Sequence, residues 1–123
     1  MEEKRRVLRF KLEVPAWFKN TKYKNKDLSI ASTMNVSATG IALITREALE
    51  VGQQVLMQVK LPPDERVIVR AEVVWVRDIT RTFIPEYQVG LRLVEPMQYE
   101  ESKFVKFCAK KMLEFYNQEH PSP

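Results

Sequence analysis

Leu8, Phe10, Leu12, Val14 and Ala16 alternate with Arg9, Lys11, Glu13, Pro15 and Trp17. A period of two places every second side chain on one face of an extended chain, so the stretch predicts a half-buried strand with Arg9 on its outer face. The pattern recurs. Gln54 to Leu61 sets Val55, Met57, Val59 and Leu61 against polar neighbours, and Pro62-Pro63-Asp64 closes a hairpin behind it. Arg66 to Asp78 is the longest β run, rich in Val and Ile and carrying Trp75. A polar loop from Thr80 to Glu86 separates it from Tyr87 to Val94, which predicts antiparallel pairing of the two. Leu28 to Met34 and Ile41 to Thr45 complete six strands, with Gly52 marking a bend. Six short-linked strands in 123 residues are too many for a lone open sheet, and closure removes unpaired edges, so the expected fold is a small antiparallel β-barrel.

The period then changes. Val105, Cys108, Met112 and Phe115 recur at helical spacing, Phe104 and Tyr116 widen the stripe, and Pro96 suits a first helical turn. A C-terminal α-helix that caps one barrel mouth is expected. The reading is a single domain: a flexible basic arm over 1–7, the barrel over 8–95, the helix over 96–117 and a tail over 118–123.

Charge is uneven along the chain. Residues 1 to 27 hold nine Lys/Arg against four Asp/Glu, while the remainder holds eleven against twelve. The whole excess is N-terminal, which suggests an anionic partner for that segment. No apolar run approaches the roughly 20 residues of a membrane helix. The N-terminus is charged rather than apolar, and the single cysteine, Cys108, has no partner for an internal disulfide, so a reducing cytoplasm is the expected compartment.

Catalytic readings find little support. The only histidine is His120 in the tail, the only thiol is Cys108 on the apolar helix stripe, and the carboxylates are scattered. Neither a metal cluster nor a Cys/His pair can be assembled from these, and three glycines leave no P-loop or dinucleotide fingerprint. The residues point to a binding protein, not an enzyme, with no metal and no cofactor.

Two short stretches carry the binding chemistry. Arg5, Arg6 and Arg9 crowd three guanidinium forks at the entry to the first strand, and such forks bind phosphate, or the O6/N7 edge of guanine, through paired hydrogen bonds. Asn35-Val36-Ser37-Ala38-Thr39-Gly40 supplies an amide, a hydroxyl and a glycine free to take positive φ. Asn, Ser and Gly are also the ordinary vocabulary of turns.

Arg5-x-x-x-Arg9 followed by Asn35-x-Ser37-x-x-Gly40 resembles the two-part signature of the PilZ domain family. Leu49 to Gln53, Val73-Val74-Trp75 and Tyr87 to Leu93 resemble its later landmarks, so the resemblance covers nearly the whole chain. It implies a six-stranded barrel with a C-terminal helix and, since both motifs are present, a receptor for the bacterial second messenger cyclic di-GMP. By the same resemblance Arg5, Arg6 and Arg9 hold guanine edges and phosphates, Asn35 and Ser37 hydrogen-bond a guanine, and Gly40 lets the turn approach it. Trp75 matches a strand-end aromatic that lines the site, and Lys4 adds charge that favours two stacked nucleotides. Asn35 stands where many relatives have Asp, and Thr39 where a second Gly is frequent, which predicts a stiffer or shifted turn. The expected mechanism is ordering of the basic arm on the nucleotide, with output through a partner protein. Two rivals are a ligand-independent PilZ-like adaptor and a small basic barrel for single-stranded nucleic acid; the basic excess is local rather than spread along a groove, which argues against nucleic acid.

Overall fold

A computed structural model of the chain describes residues 9–19 and 28–119. Its elements are β1 (Phe10–Lys11), β2 (Pro15–Phe18), β3 (Ser29–Ser37), β4 (Gly40–Thr45), β5 (Gln54–Leu61), β6 (Glu65–Asp78), β7 (Tyr87–Leu93) and α1 (Glu101–Glu119). Every strand pair is antiparallel. The sheet runs β1-β3-β2-β5-β6-β7-β4, and β4 pairs back onto β3. That last ladder closes six strands into a barrel, as the alternation predicts, and leaves β1 as a short extra strand on β3.

The first strand is where the structure departs from the pattern. The alternation from Leu8 predicts one continuous strand, but β1 pairs with Asn35 and Val36 while β2 pairs with Ser29 to Ser32. The cause lies in β3, where Thr33 faces Leu43 and Asn35 faces Ala42, so that Met34 is an extra residue. The buried Thr33 bridges the resulting gap: its hydroxyl accepts from the Val14 amide at 3.0 Å and donates to the Leu12 carbonyl.

The core fills the barrel interior. Val67, Val69, Ala71 and Val73 point inward along β6 and meet Phe18, Leu43, Met57 and Leu61 from neighbouring strands, all essentially without solvent contact. Phe104 and Cys108 of α1 are equally buried and join the same cluster, so the helix does cap the barrel. It begins at Glu101 rather than at Pro96. The N-terminal half of β6 pairs only with β5, and the two glutamates at the helix start occupy its other edge. Glu100 accepts from the Ile68 amide at 2.9 Å, and Glu101 from the Arg70 and Tyr99 amides, each at 2.8 Å.

The expected apolar stripe packs for only half its length. A helix of 19 residues is about 28 Å long and outruns the barrel mouth. Val105 and Met112 are half-buried, and Phe115 and Tyr116 are more than half exposed. No helix among the described residues is long and apolar enough to cross a membrane.

Candidate functional site

Two bulges aim the candidate site. Inward side chains along β6 fall at every second residue from Val67 to Val73, and strict alternation would send Trp75 into the core. Instead Val73 faces Leu91, Trp75 faces Gly90, and Val76 returns to the core against Val89. The extra residue, Val74, shifts the parity and turns Trp75 onto the outer surface of the barrel. The bulge at Met34 does the same in β3: after the inward Thr33 it turns Asn35 outward and Val36 in.

The ladders then bring these two residues into one row. Lys11 of β1, Asn35 of β3, Ala42 of β4, Gly90 of β7 and Trp75 of β6 are successive register partners across five strands. Three strand spacings separate Asn35 from Trp75, about 14 Å. The two positions between them have almost no side chain and are themselves covered, Ala42 at 2% exposure and Gly90 beneath the indole, so the row forms a low shelf roofed by its flanking side chains, with an amide at one end and an indole at the other. The indole leans over Gly90: a Cβ there would lie 2.1 Å from Trp75 Nε1. Arg77 sits over the ring, 5.6 Å from its centroid, and donates to Gln88 Oε1 at 3.2 Å.

Arg9 reaches the amide end of the shelf. Its Nη1 donates to Asn35 Oδ1 at 3.3 Å, and both groups face solvent. The two parts of the motif, 26 residues apart in sequence, therefore meet in space. Lys4, Arg5 and Arg6 lie outside the described residues.

Ser37 and Gly40 act first on the backbone. They are paired across a two-residue turn, Ala38-Thr39, and the buried Ser37 Oγ accepts from the Thr39 and Gly40 amides at 3.3 and 3.2 Å. The Thr39 hydroxyl lies 3.3 Å from it. Asn35 is thus a strand residue, and only Ala38 and Thr39 make the turn. Gly40 is not needed for positive φ, which among the described glycines belongs to Gly52 at 92°. It is needed for space, because a Cβ would lie 2.5 Å from the Leu91 carbonyl oxygen. Since no non-glycine residue there takes positive φ, the β-branched Thr39 fits the turn without strain.

A cleft of about 440 Å³ lies beyond the turn, lined by Thr39, Gln54, Glu72, Arg92 and Glu95 among others. Arg92 and Glu72 pair there at 3.0 Å, in the row that follows Ser37 and Gly40. Among the described residues no group of His, Cys, Asp or Glu is placed to hold a metal ion. The Cys108 thiol is far from nucleophilic, since burial pushes it up to about 12.

The PilZ domain family profile matches residues 3–110, most of the chain. The chain belongs to the PilZ domain family. This is a family of binding and regulatory domains rather than enzymes. No curated protein matches by sequence. Among solved structures the chain is similar to the Escherichia coli YcgR PilZ domain with c-di-GMP, at 11% identity and a TM-score of 0.69, covering 98% of this chain and 100% of that one. It is similar to the Klebsiella MrkH–c-di-GMP complex at 17% identity and a TM-score of 0.68, over 98% of this chain and 56% of MrkH. For the Bacillus subtilis inhibitor of motility MotI/DgrA the values are 16% and 0.65, over 92% of this chain and 53% of that one. The chain thus spans about half the length of MrkH and MotI. At these identities the likeness is one of fold.

Within this PilZ domain, Ala42 and Arg77 border the candidate shelf although motif reading does not single them out, while Gln88 and Gly90 fall inside the Tyr87 to Leu93 landmark without a role of their own. Gly90 and Ala42 act by lacking a side chain. The sequence does carry one trace of the arrangement, the switch of apolar parity from Val67, Val69, Ala71 and Val73 to Val76.

Proposed function

We propose that this PilZ domain is a cyclic di-GMP receptor that binds the nucleotide on the outer shelf between Asn35 and Trp75. The observation that carries the reading is the Arg9–Asn35 hydrogen bond at 3.3 Å, which joins the two motif halves at one end of a side-chain-poor row that ends in an indole. A purine lies flat on such a surface, with Trp75 as a stacking face and the Asn35 amide at its polar edge. Arg9, with Arg5 and Arg6 just before it, supplies forks for phosphate and for the guanine O6/N7 edge. Lys4 would add to the positive field and favour a stacked nucleotide pair. Ser37 holds the turn through its lone pairs, and its hydroxyl, 3.3 Å from that of Thr39, is the group offered to a guanine; Gly40 lets the turn close. The relatives YcgR and MrkH bind c-di-GMP, which supports carrying that ligand to this chain.

Nucleotide binding then draws the arginine segment against the shelf and alters the surface offered to a partner protein. The signal leaves through that surface. Isothermal titration with cyclic di-GMP, cyclic di-AMP, GTP and a mixed oligonucleotide tests the reading. Cyclic di-GMP alone should bind tightly, and Arg9→Ala should weaken it at least about tenfold, the loss of one charge-assisted hydrogen bond. An unchanged dissociation constant for Arg9→Ala would falsify the proposed site. Oligonucleotide binding with a steep salt slope would favour a nucleic-acid platform instead.

A further inference from the structure

Beyond Cys108 the helix α1 keeps an apolar sequence without a barrel beneath it. Met112 is half-buried, and Leu113 and Phe115 are 63% and 54% exposed. Strand β1 runs beside this overhang, with the Phe10 ring 6.4 Å from that of Phe107. Between them lies a groove of about 270 Å³ lined by Arg9, Phe10, Lys11, Lys111, Met112 and Phe115. Three apolar side chains and three cations therefore share one small concavity. Among the described residues Lys11 pairs with Glu13 at 4.0 Å and Lys111 with Glu114 at 3.3 Å, and all four side chains are at least 40% exposed. Pairs so open to water contribute little and exchange readily with a better partner.

We infer that this groove docks a partner protein through an acidic amphipathic segment, with a large apolar side chain seated on Phe10, Met112 and Phe115 and carboxylates on Arg9, Lys11 and Lys111. Charge selects this occupant. A second copy of the chain would bring the same three cations face to face. A flat anionic bilayer would meet the cations without reaching a concave apolar floor, whereas a protruding side chain reaches it. The groove also shares Arg9 with the nucleotide shelf. A nucleotide that recruits Arg9 removes one of the three cations, so nucleotide and acidic segment weaken each other reciprocally. That coupling rests on the cyclic di-GMP reading; the docking surface does not.

The test uses the whole chain and a fluorescein-labelled peptide with Leu and Phe on one face of a helical repeat and Glu on the other. Its controls carry Lys for Glu, or Ser for Leu and Phe. Anisotropy should report saturable binding of the acidic peptide only. Lys111→Glu and Phe115→Ser should each weaken it about tenfold while melting temperature and cyclic di-GMP affinity stay as in the parent chain. Saturating cyclic di-GMP should weaken the peptide about threefold or more. Absence of saturable binding, or binding indifferent to Lys111→Glu, overturns the docking surface. So does a dimer in sedimentation that Phe115→Ser dissolves, or vesicle binding lost in that variant. Peptide binding unmoved by a nucleotide that itself binds overturns the coupling alone. Failure of cyclic di-GMP to bind at all would be seen separately, in its own titration, and would sink the receptor reading without touching the groove.

Discussion

The indole of Trp75 occupies the space that a side chain at Gly90 would need, with only 2.1 Å between Nε1 and the position of a Cβ. No real Cβ contact is that short, so Gly90→Ala must push Trp75 off the shelf. The barrel itself should survive, because the indole is on the outer face and can rotate into solvent. Near-ultraviolet circular dichroism should change, with Trp17, under Arg66 at 4.5 Å, as an undisturbed second chromophore. Cyclic di-GMP affinity should fall about tenfold, the scale of one lost stacking contact. Unchanged affinity with a displaced indole would remove Trp75 from the site.

The shelf's other end makes a prediction of opposite sign. Guanine presents two adjacent donors on its Watson–Crick edge, and an amide meets them with one acceptor and one donor, whereas a carboxylate accepts from both. Asn35→Asp should therefore bind cyclic di-GMP about three- to tenfold more tightly at low salt, although the new charge also pairs with Arg9 in the empty protein. Weaker binding at every salt concentration would mean that Asn35 does not face the guanine edge.

What the sequence made legible follows its periodicities. The β alternations of Val55 to Leu61 and Val67 to Val73 gave the strands and their inward faces, because period two is fixed by the backbone. The motif order gave Arg9 and Asn35 as neighbours. What stayed hidden is whatever a single extra residue changes. Nothing local marks Met34 as a bulge, and Val74 shows only through the later parity switch to Val76, yet each reverses the facing of every residue after it, and with it the fate of Asn35 and Trp75. The contribution of Gly90 was hidden for a related reason: it is defined by its partner Trp75 on the adjacent strand, not by its own type. The helix stripe misled in the other direction, since spacing shows which side chains share a face but not where the barrel beneath them ends.

Cys108 should be chemically silent in the folded protein. Burial pushes its thiol up to about 12, so at pH 8 almost none of it is thiolate. A thiol-reactive disulfide reagent should leave it unlabelled in buffer and label it stoichiometrically in denaturant. Because the thiol is packed with Phe104 in the core cluster, the labelling rate should track global unfolding. Rapid labelling under native conditions would show that α1 detaches from the barrel mouth on its own.

Glu101 ties that helix to β6 and should set the acid limit of the fold. Its carboxyl is fully buried, which alone would raise its pKa, but the amides of Arg70, Tyr99, Glu101 itself and Gln98 outweigh the burial and hold it below the ordinary carboxylate value. A folded-state pKa below the unfolded one contributes stability that is present above the unfolded value and is lost as pH falls through the folded value. Chemical denaturation should therefore show stability declining on acidification below the usual glutamate range. In Glu101→Gln that part of the decline should shrink, since the group no longer titrates. Glu101→Ala removes the acceptor and leaves buried amides unpaired, at a cost of about 2 to 3 kcal/mol at neutral pH. The neighbouring Glu100 is also held low, first by the Ile68 amide and then by Lys103, so the double variant Glu100→Gln/Glu101→Gln separates the two contributions. If the pH profile of Glu101→Gln overlaid that of the parent chain, the carboxylate would not be the group that fastens α1 to the edge of β6.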